Sequence, residues 1–153
     1  MIRFALALAS LSLAALATPA LADDATDGAE TPACPAVVPA AVVPAADQRL
    51  RFSRVGDGDQ IYVCTANAAG AFSWLFVTPR ANLYKGDKLV GTHFFGPIWQ
   101  GNDDSSVKAA KVAAATVDPT AIAWLLLTSV GNTGPGHFAD ITSVQRLNTV
   151  GGN

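Results

Sequence analysis

The chain has 153 residues, of which 12 are acidic and 10 basic, for a formal net charge of -2. So small an imbalance, with the basic residues scattered, leaves no electrostatic footprint for nucleic acid or an anionic membrane surface. Two cysteines and two histidines without paired spacing predict no zinc site, and no cofactor fingerprint is visible.

The N-terminus reads in the order that export requires. Arg3 supplies a short positive start, residues 4–16 are almost wholly apolar, and Ala20-Leu21-Ala22 has the small-x-small cleavage pattern. A signal peptide over residues 1–22, cut after Ala22, is therefore expected, because the apolar run is short for a membrane anchor. The mature chain is expected to be periplasmic or secreted and without a transmembrane span. Losing Arg3 moves its charge to about -3.

Residues 23–48 are rich in Ala, Pro and Val, as in Thr31-Pro32-Ala33-Cys34-Pro35 and Val42-Val43-Pro44. Proline removes backbone donors and favours extended chain, so this stretch reads as an arm or linker. One domain over residues 49–153 follows, long enough for a single core. In an oxidising compartment Cys34 and Cys64 are expected to pair. Such a bond contributes roughly 3–4 kcal/mol in the chain-entropy description and tethers the arm. Neither cysteine has the surroundings of an activated thiol.

The domain reads as all-β: a single antiparallel sandwich or barrel-like unit. Residues 49–53 alternate polar and apolar, Gly56-Asp57-Gly58-Asp59 is turn chemistry, and residues 60–65 return as a second strand, which makes a hairpin. Residues 72–77 are apolar on both faces and predict a buried strand. Lys85-Gly86-Asp87-Lys88 is a turn, and residues 89–95 form the next strand, with His93 on the face of Leu89 by alternation. Residues 107–115 are rich in Ala and Lys, yet the turn residues around them favour a strand over a helix. Residues 124–130 predict a central strand, and Gly131-Asn132-Thr133-Gly134-Pro135-Gly136 a flexible loop. Ile141, Val144 and Leu147, spaced by three, fit a helical turn or a bulged strand. Many short strands with Gly-rich punctuation support the β class.

Four stretches carry a resemblance. They are Gly58-Asp59-Gln60-Ile61-Tyr62-Val63-Cys64, then Gly91-Thr92-His93-Phe94-Phe95-Gly96-Pro97-Ile98-Trp99, then Ala123-Trp124-Leu125-Leu126-Leu127, and last residues 144–152. In this order they resemble the domain of unknown function 3455 family of exported bacterial and secreted fungal proteins. The resemblance implies an exported β-rich domain without an assigned activity. Where the family usually reads Asp-Gly-Ser, this chain has Asp103-Asp104-Ser105-Ser106. Many members carry a further Cys beyond the position of Gly152, which leaves a second pairing open for the Cys of the first hairpin. Some fungal members bear a dehydrogenase label, but no G-x-G-x-x-G joins a strand to a helix here.

The chemistry-bearing residues cluster between His93 and Lys108. His93 could shuttle a proton with Asp103 or Asp104 orienting it, or be a satisfied sheet-edge histidine. The run Asn102-Asp103-Asp104-Ser105 lacks the full ligand series of a calcium loop and reads as a turn. No G-x-S-x-G elbow supports a hydrolase triad. Trp74 and Trp124 lie in apolar runs and read as core, whereas Trp99, between Gly96-Pro97 and Gln100-Gly101-Asn102, reads as partly exposed. Trp99, Ser105, Lys108 and Arg146 are the ligand-binding candidates. The expected function is a non-catalytic module of the cell envelope or exterior that binds a small molecule, a glycan or a protein. A structural or stress-related envelope protein is the second reading. A hydrolase or lyase using His93 with Asp103 or Asp104 is the third.

Overall fold

The computed structural model describes residues 37–152. The expected signal peptide, the first part of the expected arm and Cys34 lie outside the described residues, so the expected cleavage site and Cys34–Cys64 pairing do too. Cys64 is an exposed free cysteine.

Among the described residues seven strands form one sheet in strict chain order, each antiparallel to the next. They are β1 (Val55–Ala66), β2 (Phe72–Lys85), β3 (Lys88–Phe94), β4 (Ile98–Gly101), β5 (Ser106–Ala115), β6 (Trp124–Thr133) and β7 (Ser143–Arg146). The all-β antiparallel class expected from the sequence is what the chain adopts, as a single continuous meander. Short turns between sequential strands make this the simplest topology for such a pattern. Among the described residues no helix is long and apolar enough to cross a membrane.

After β7 the chain turns back. Ala121 pairs with Gly152, the Ile122 amide donates to the Gly151 carbonyl at 2.9 Å, and the Tyr62 hydroxyl donates to the Gly152 carbonyl at 3.1 Å. The C-terminal segment thus links the start of β6 to the opposite edge of the sheet.

The hydrophobic core is small. Leu83, Val107 and Phe138 form its centre, and Phe52, Val90, Trp99, Ile141 and Val144 pack around them. Each buried side chain of this size contributes about 1.5–3 kcal/mol relative to exposure. On β5 and β6 lies a short 3-10 turn, Ala40–Val42, whose Val42 is fully buried. Gln145 Nε2 donates to the Val42 carbonyl at 2.6 Å, and the Thr142 hydroxyl donates to Gln48 Oε1 at 2.6 Å. Residues 40–48, read from their prolines as arm, are therefore tied to the sheet.

Several expected boundaries shift. Residues 49–54 form no strand; Phe52 instead packs its ring against Phe138, which satisfies the apolar alternation without a ladder. The expected turn at Gly56-Asp57-Gly58-Asp59 lies inside β1, paired from Gly56↔Leu83 to Asp59↔Arg80. At Gly58 a Cβ would collide with the Arg80 carbonyl, so this glycine serves close strand approach and not a turn. Residues 107–115 are strand, as expected. Strand β6 runs on through Gly131 to Thr133, opposite Lys108, Val107 and Ser106, so the loop begins three residues later than the glycine suggests. Ser143–Arg146 resolves the three-residue spacing as a strand.

The largest departure is at residues 72–77. They form a strand, but an exposed one: Phe72 is 74% exposed, Trp74 72% and Leu75 58%. Strand β3 joins β2 only from Ala81 to Lys85, so among the described residues the outer part of β2 pairs with β1 alone and no layer covers it. Trp74, read as core, is at the surface; Trp124 is buried as expected.

Candidate functional site

A cleft of about 640 Å³ opens where four segments meet. The segment before β1 contributes Phe52 and Arg54, and the β2–β3 turn contributes Lys85, Lys88, Leu89 and Val90. The loop after β4 adds Asn102 and Asp103, and the loop after β6 adds His137 and Phe138. Its floor is apolar, with Leu83 beneath.

Local interactions hold this arrangement. Phe52 meets Phe138 edge-on at 5.3 Å between ring centroids and His137 at 6.1 Å, both near-perpendicular geometries that aromatic quadrupoles favour. The Arg54 guanidinium lies 4.6 Å from the centroid of the Phe52 ring, and partial burial holds its pKa below the ordinary value. Asn102 ties its loop to β3: its amide donates to the Val90 carbonyl at 3.0 Å and its Nδ2 to the Leu89 carbonyl at 3.0 Å.

Asp103 is the clip that joins two loops. Its Oδ1 accepts from the Ser105 hydroxyl at 2.6 Å and the Ser105 amide at 3.1 Å. Its Oδ2 accepts from the His137 amide and from His137 Nδ1, both at 2.7 Å. Since a carboxylate only accepts, Nδ1 carries the proton and Nε2 is the remaining ring nitrogen. The Ser105 hydroxyl, fully buried, accepts in turn from the Phe138 amide at 3.0 Å. The bonds from the Ser105 hydroxyl, then those from the His137 amide and ring, hold the Asp103 carboxyl well below the usual carboxylate range. At Gly136 a Cβ would collide with the Asp103 carboxylate, so glycine is what lets the second loop approach.

The lining is electrostatically one-sided. Among the described residues that line the cleft, Arg54, Lys85 and Lys88 are the cations and Asp103 is the carboxylate, and its oxygens already accept four hydrogen bonds. An anionic group entering the cleft meets cations at the rim and apolar surface below, which is the usual build of a small-molecule site.

Of the residues singled out in the sequence, only Asp103 lines the cleft. His93 lies opposite Trp99 in the ladder, and the two rings stack at 4.2 Å with an 8° interplanar angle. His93 Nδ1 bonds the Ile98 carbonyl at 2.9 Å; burial pushes its pKa down, that bond raises it, and the nearby Arg146 charge lowers it. Asp103 is thus paired with His137, while His93 is engaged elsewhere. A register shift at Leu83/Tyr84 interrupts the alternation, so His93, opposite Ala81, follows the face of Leu83 and not that of Leu89. Trp99 is half-buried and packs on the Leu83–Val107–Phe138 core. Asp104 occupies an exposed turn at φ 62°. Lys108 is exposed on β5. Arg146 donates through Nε and Nη2 to the Ala123 carbonyl at 3.1 and 2.7 Å, a clamp between β7 and the entry to β6. Among the described residues no three His, Cys, Asp or Glu side chains are grouped as metal ligands.

His137, Phe52 and the cations of the β2–β3 turn were not singled out from the sequence. His137 lies beyond a glycine-rich loop, 34 residues from the carboxylate it meets. The available signal was Gly136 directly before it, a glycine whose role depends on a distant partner.

Over residues 44–153 the chain matches a protein family described as protein of unknown function (DUF3455). No curated protein and no solved structure matches it.

Proposed function

The chain belongs to that family of proteins of unknown function, and we propose that it is an exported, non-catalytic binding module whose ligand is a small molecule with an apolar body and an anionic group. The supporting observation is the cleft itself: apolar Phe52, Leu83, Leu89, Val90 and Phe138 below a rim of Arg54, Lys85 and Lys88, within about 640 Å³. That volume falls in the range of small-molecule sites, and a cationic rim over an apolar floor selects an amphipathic anion. The binding role expected around Trp99 is reassigned to this cleft, because Trp99 is engaged with His93 and the core.

An enzymatic reading would rest on His137 oriented by Asp103. The serine beside that pair is not available as a nucleophile: the Ser105 hydroxyl is fully buried, its proton directed to Asp103 and a lone pair to the Phe138 amide.

The test is a thermal-shift and calorimetric screen of the mature chain against medium-chain and aromatic carboxylates, their uncharged amides, and neutral glycans. A ligand at 100 times its Kd stabilises the fold by about 2.7 kcal/mol, which such a screen resolves. Carboxylates are expected to bind, the amides to bind at least about tenfold more weakly, and Lys88→Glu to abolish the difference. A flat response to every carboxylate would sink this reading and leave the structural one.

A further inference from the structure

The outer part of the β1–β2 hairpin is unlike the rest of the surface. From residue 61 to residue 79 the chain contains no Asp, Glu, Lys or Arg. The register places Cys64 opposite Trp74, Tyr62 opposite Phe76 and Ala66 opposite Phe72, so one face carries Tyr62, Cys64, Phe72, Trp74 and Phe76 together. Phe72 is 74% exposed, Trp74 72%, Phe76 48% and Tyr62 36%. Val63 and Leu75 occupy the opposite face, 45% and 58% exposed. Tyr62 and Phe76 meet edge-on at 5.6 Å, which gives the aromatic face a fixed shape.

A two-stranded ribbon with both faces open is at best marginally stable in water. With aromatic side chains offering 150–250 Å² each, the exposed fractions leave on the order of 450 Å² of apolar surface on the aromatic face. That is a little over half of the ~800 Å² that each partner contributes to a standard interface, the size of a weak, reversible contact. A contiguous patch of this size marks an interaction site.

We propose that the occupant is a second copy of this chain, the aromatic face of one ribbon packed across the aromatic face of the other about a two-fold axis. A two-fold contact sets the same residues near themselves, and the charge-free stretch makes that self-contact free of like-charge repulsion. Exposed strands normally carry a lysine or another charge against such association, and none is present here. A bilayer suits the ribbon less well. The outer halves of β1 and β2 pair only with each other, so in hydrocarbon both outer edges would hold unsatisfied backbone groups. A face-to-face dimer leaves those edges in water.

Sedimentation velocity of the full mature chain from about 1 to 100 µM tests this, with Phe72→Lys and Trp74→Lys as variants. Both positions are largely exposed in the single chain, and circular dichroism with thermal melting verifies that the variants stay folded. A third readout, taken on the reduced chain so that no Cys34–Cys64 bond masks it, is the reaction of Cys64 with a soluble thiol reagent, followed by peptide mapping. The expected result is a reversible dimer, association at least about tenfold weaker in either variant, and Cys64 protected at high concentration and reactive in both variants. A chain monomeric throughout the range would overturn the proposal, as would a dimer indifferent to both substitutions. Co-sedimentation of a monomeric chain with zwitterionic vesicles, lost in Trp74→Lys, would identify lipid as the occupant and overturn it as well.

Discussion

At Asp103 four donors from Ser105 and His137 converge on one carboxylate, and the consequence is energetic before it is chemical. Asp103→Ala leaves the fully buried Ser105 hydroxyl without its acceptor and frees the 136–138 loop. An unsatisfied buried polar group costs about 1–3 kcal/mol, so a loss of about 2–3 kcal/mol in urea unfolding is expected. The sign of the pH dependence follows from the lowered pKa. Stabilisation by the ionised carboxyl is fully present above its ordinary value of 3.8 and is lost as pH falls through the lower folded-state value. The stability gap between the native chain and Asp103→Asn is therefore expected to be constant from pH 7 to about 5 and to shrink in more acidic solution. A gap that widens on acidification would contradict the assignment. Gly136→Ala drives a Cβ into the same carboxylate. It is expected to cost about 1–3 kcal/mol and to be non-additive with Asp103→Ala, since both act on one contact.

Strands β1 and β2 show how differently one hairpin behaves along its length. Its inner part is held by β3 and by the core at Leu83; its outer part is held by cross-strand pairing and, at Tyr62, by the hydroxyl's bond to the Gly152 carbonyl. Leu83→Ala is accordingly expected to cost about 2–4 kcal/mol, as for any large-to-small change in a filled core. Trp74→Ser should change the stability of the single chain by less than about 0.5 kcal/mol. Denaturant melts below the association range compare the two directly. Hydrogen exchange should follow the same division, slow at the amides of residues 81–84 and fast at those of residues 72–76. The sequence pattern identified a strand at residues 60–65 from alternation and one at residues 72–77 from a continuous apolar run, and both exist. It failed for burial, because which strand has a third neighbour is a property of the sheet.

For the whole molecule, the cleft and the ribbon belong to opposite regimes of surface chemistry, one cationic and concave, the other uncharged and protruding. Ligand binding in the cleft is expected to weaken as salt rises from low ionic strength to about 0.5 M, because the rim cations are exposed to screening. Ribbon association should hold or strengthen under the same change. Intact-mass measurement of the exported chain is expected to begin at Asp23, and a chain retaining residues 1–22 would refute cleavage after Ala22. Non-reducing peptide mapping addresses the Cys34–Cys64 bond in the same sample.

What the sequence by itself determined is the local grammar. Alternating apolar residues and glycine-rich punctuation specify antiparallel strands, and Asp103 and Asp104 are marked alike as acids close in sequence to His93. Tertiary structure decided everything that depends on a partner distant in the chain. Gly58 belongs to a strand because Arg80 approaches it, Phe52 packs on Phe138 instead of extending a ladder, and Asp103 meets His137 and not His93. The reason is physical: periodicity records which side of a strand is apolar, but burial requires a second surface to cover it. For residues 72–77 no part of the described chain supplies that surface.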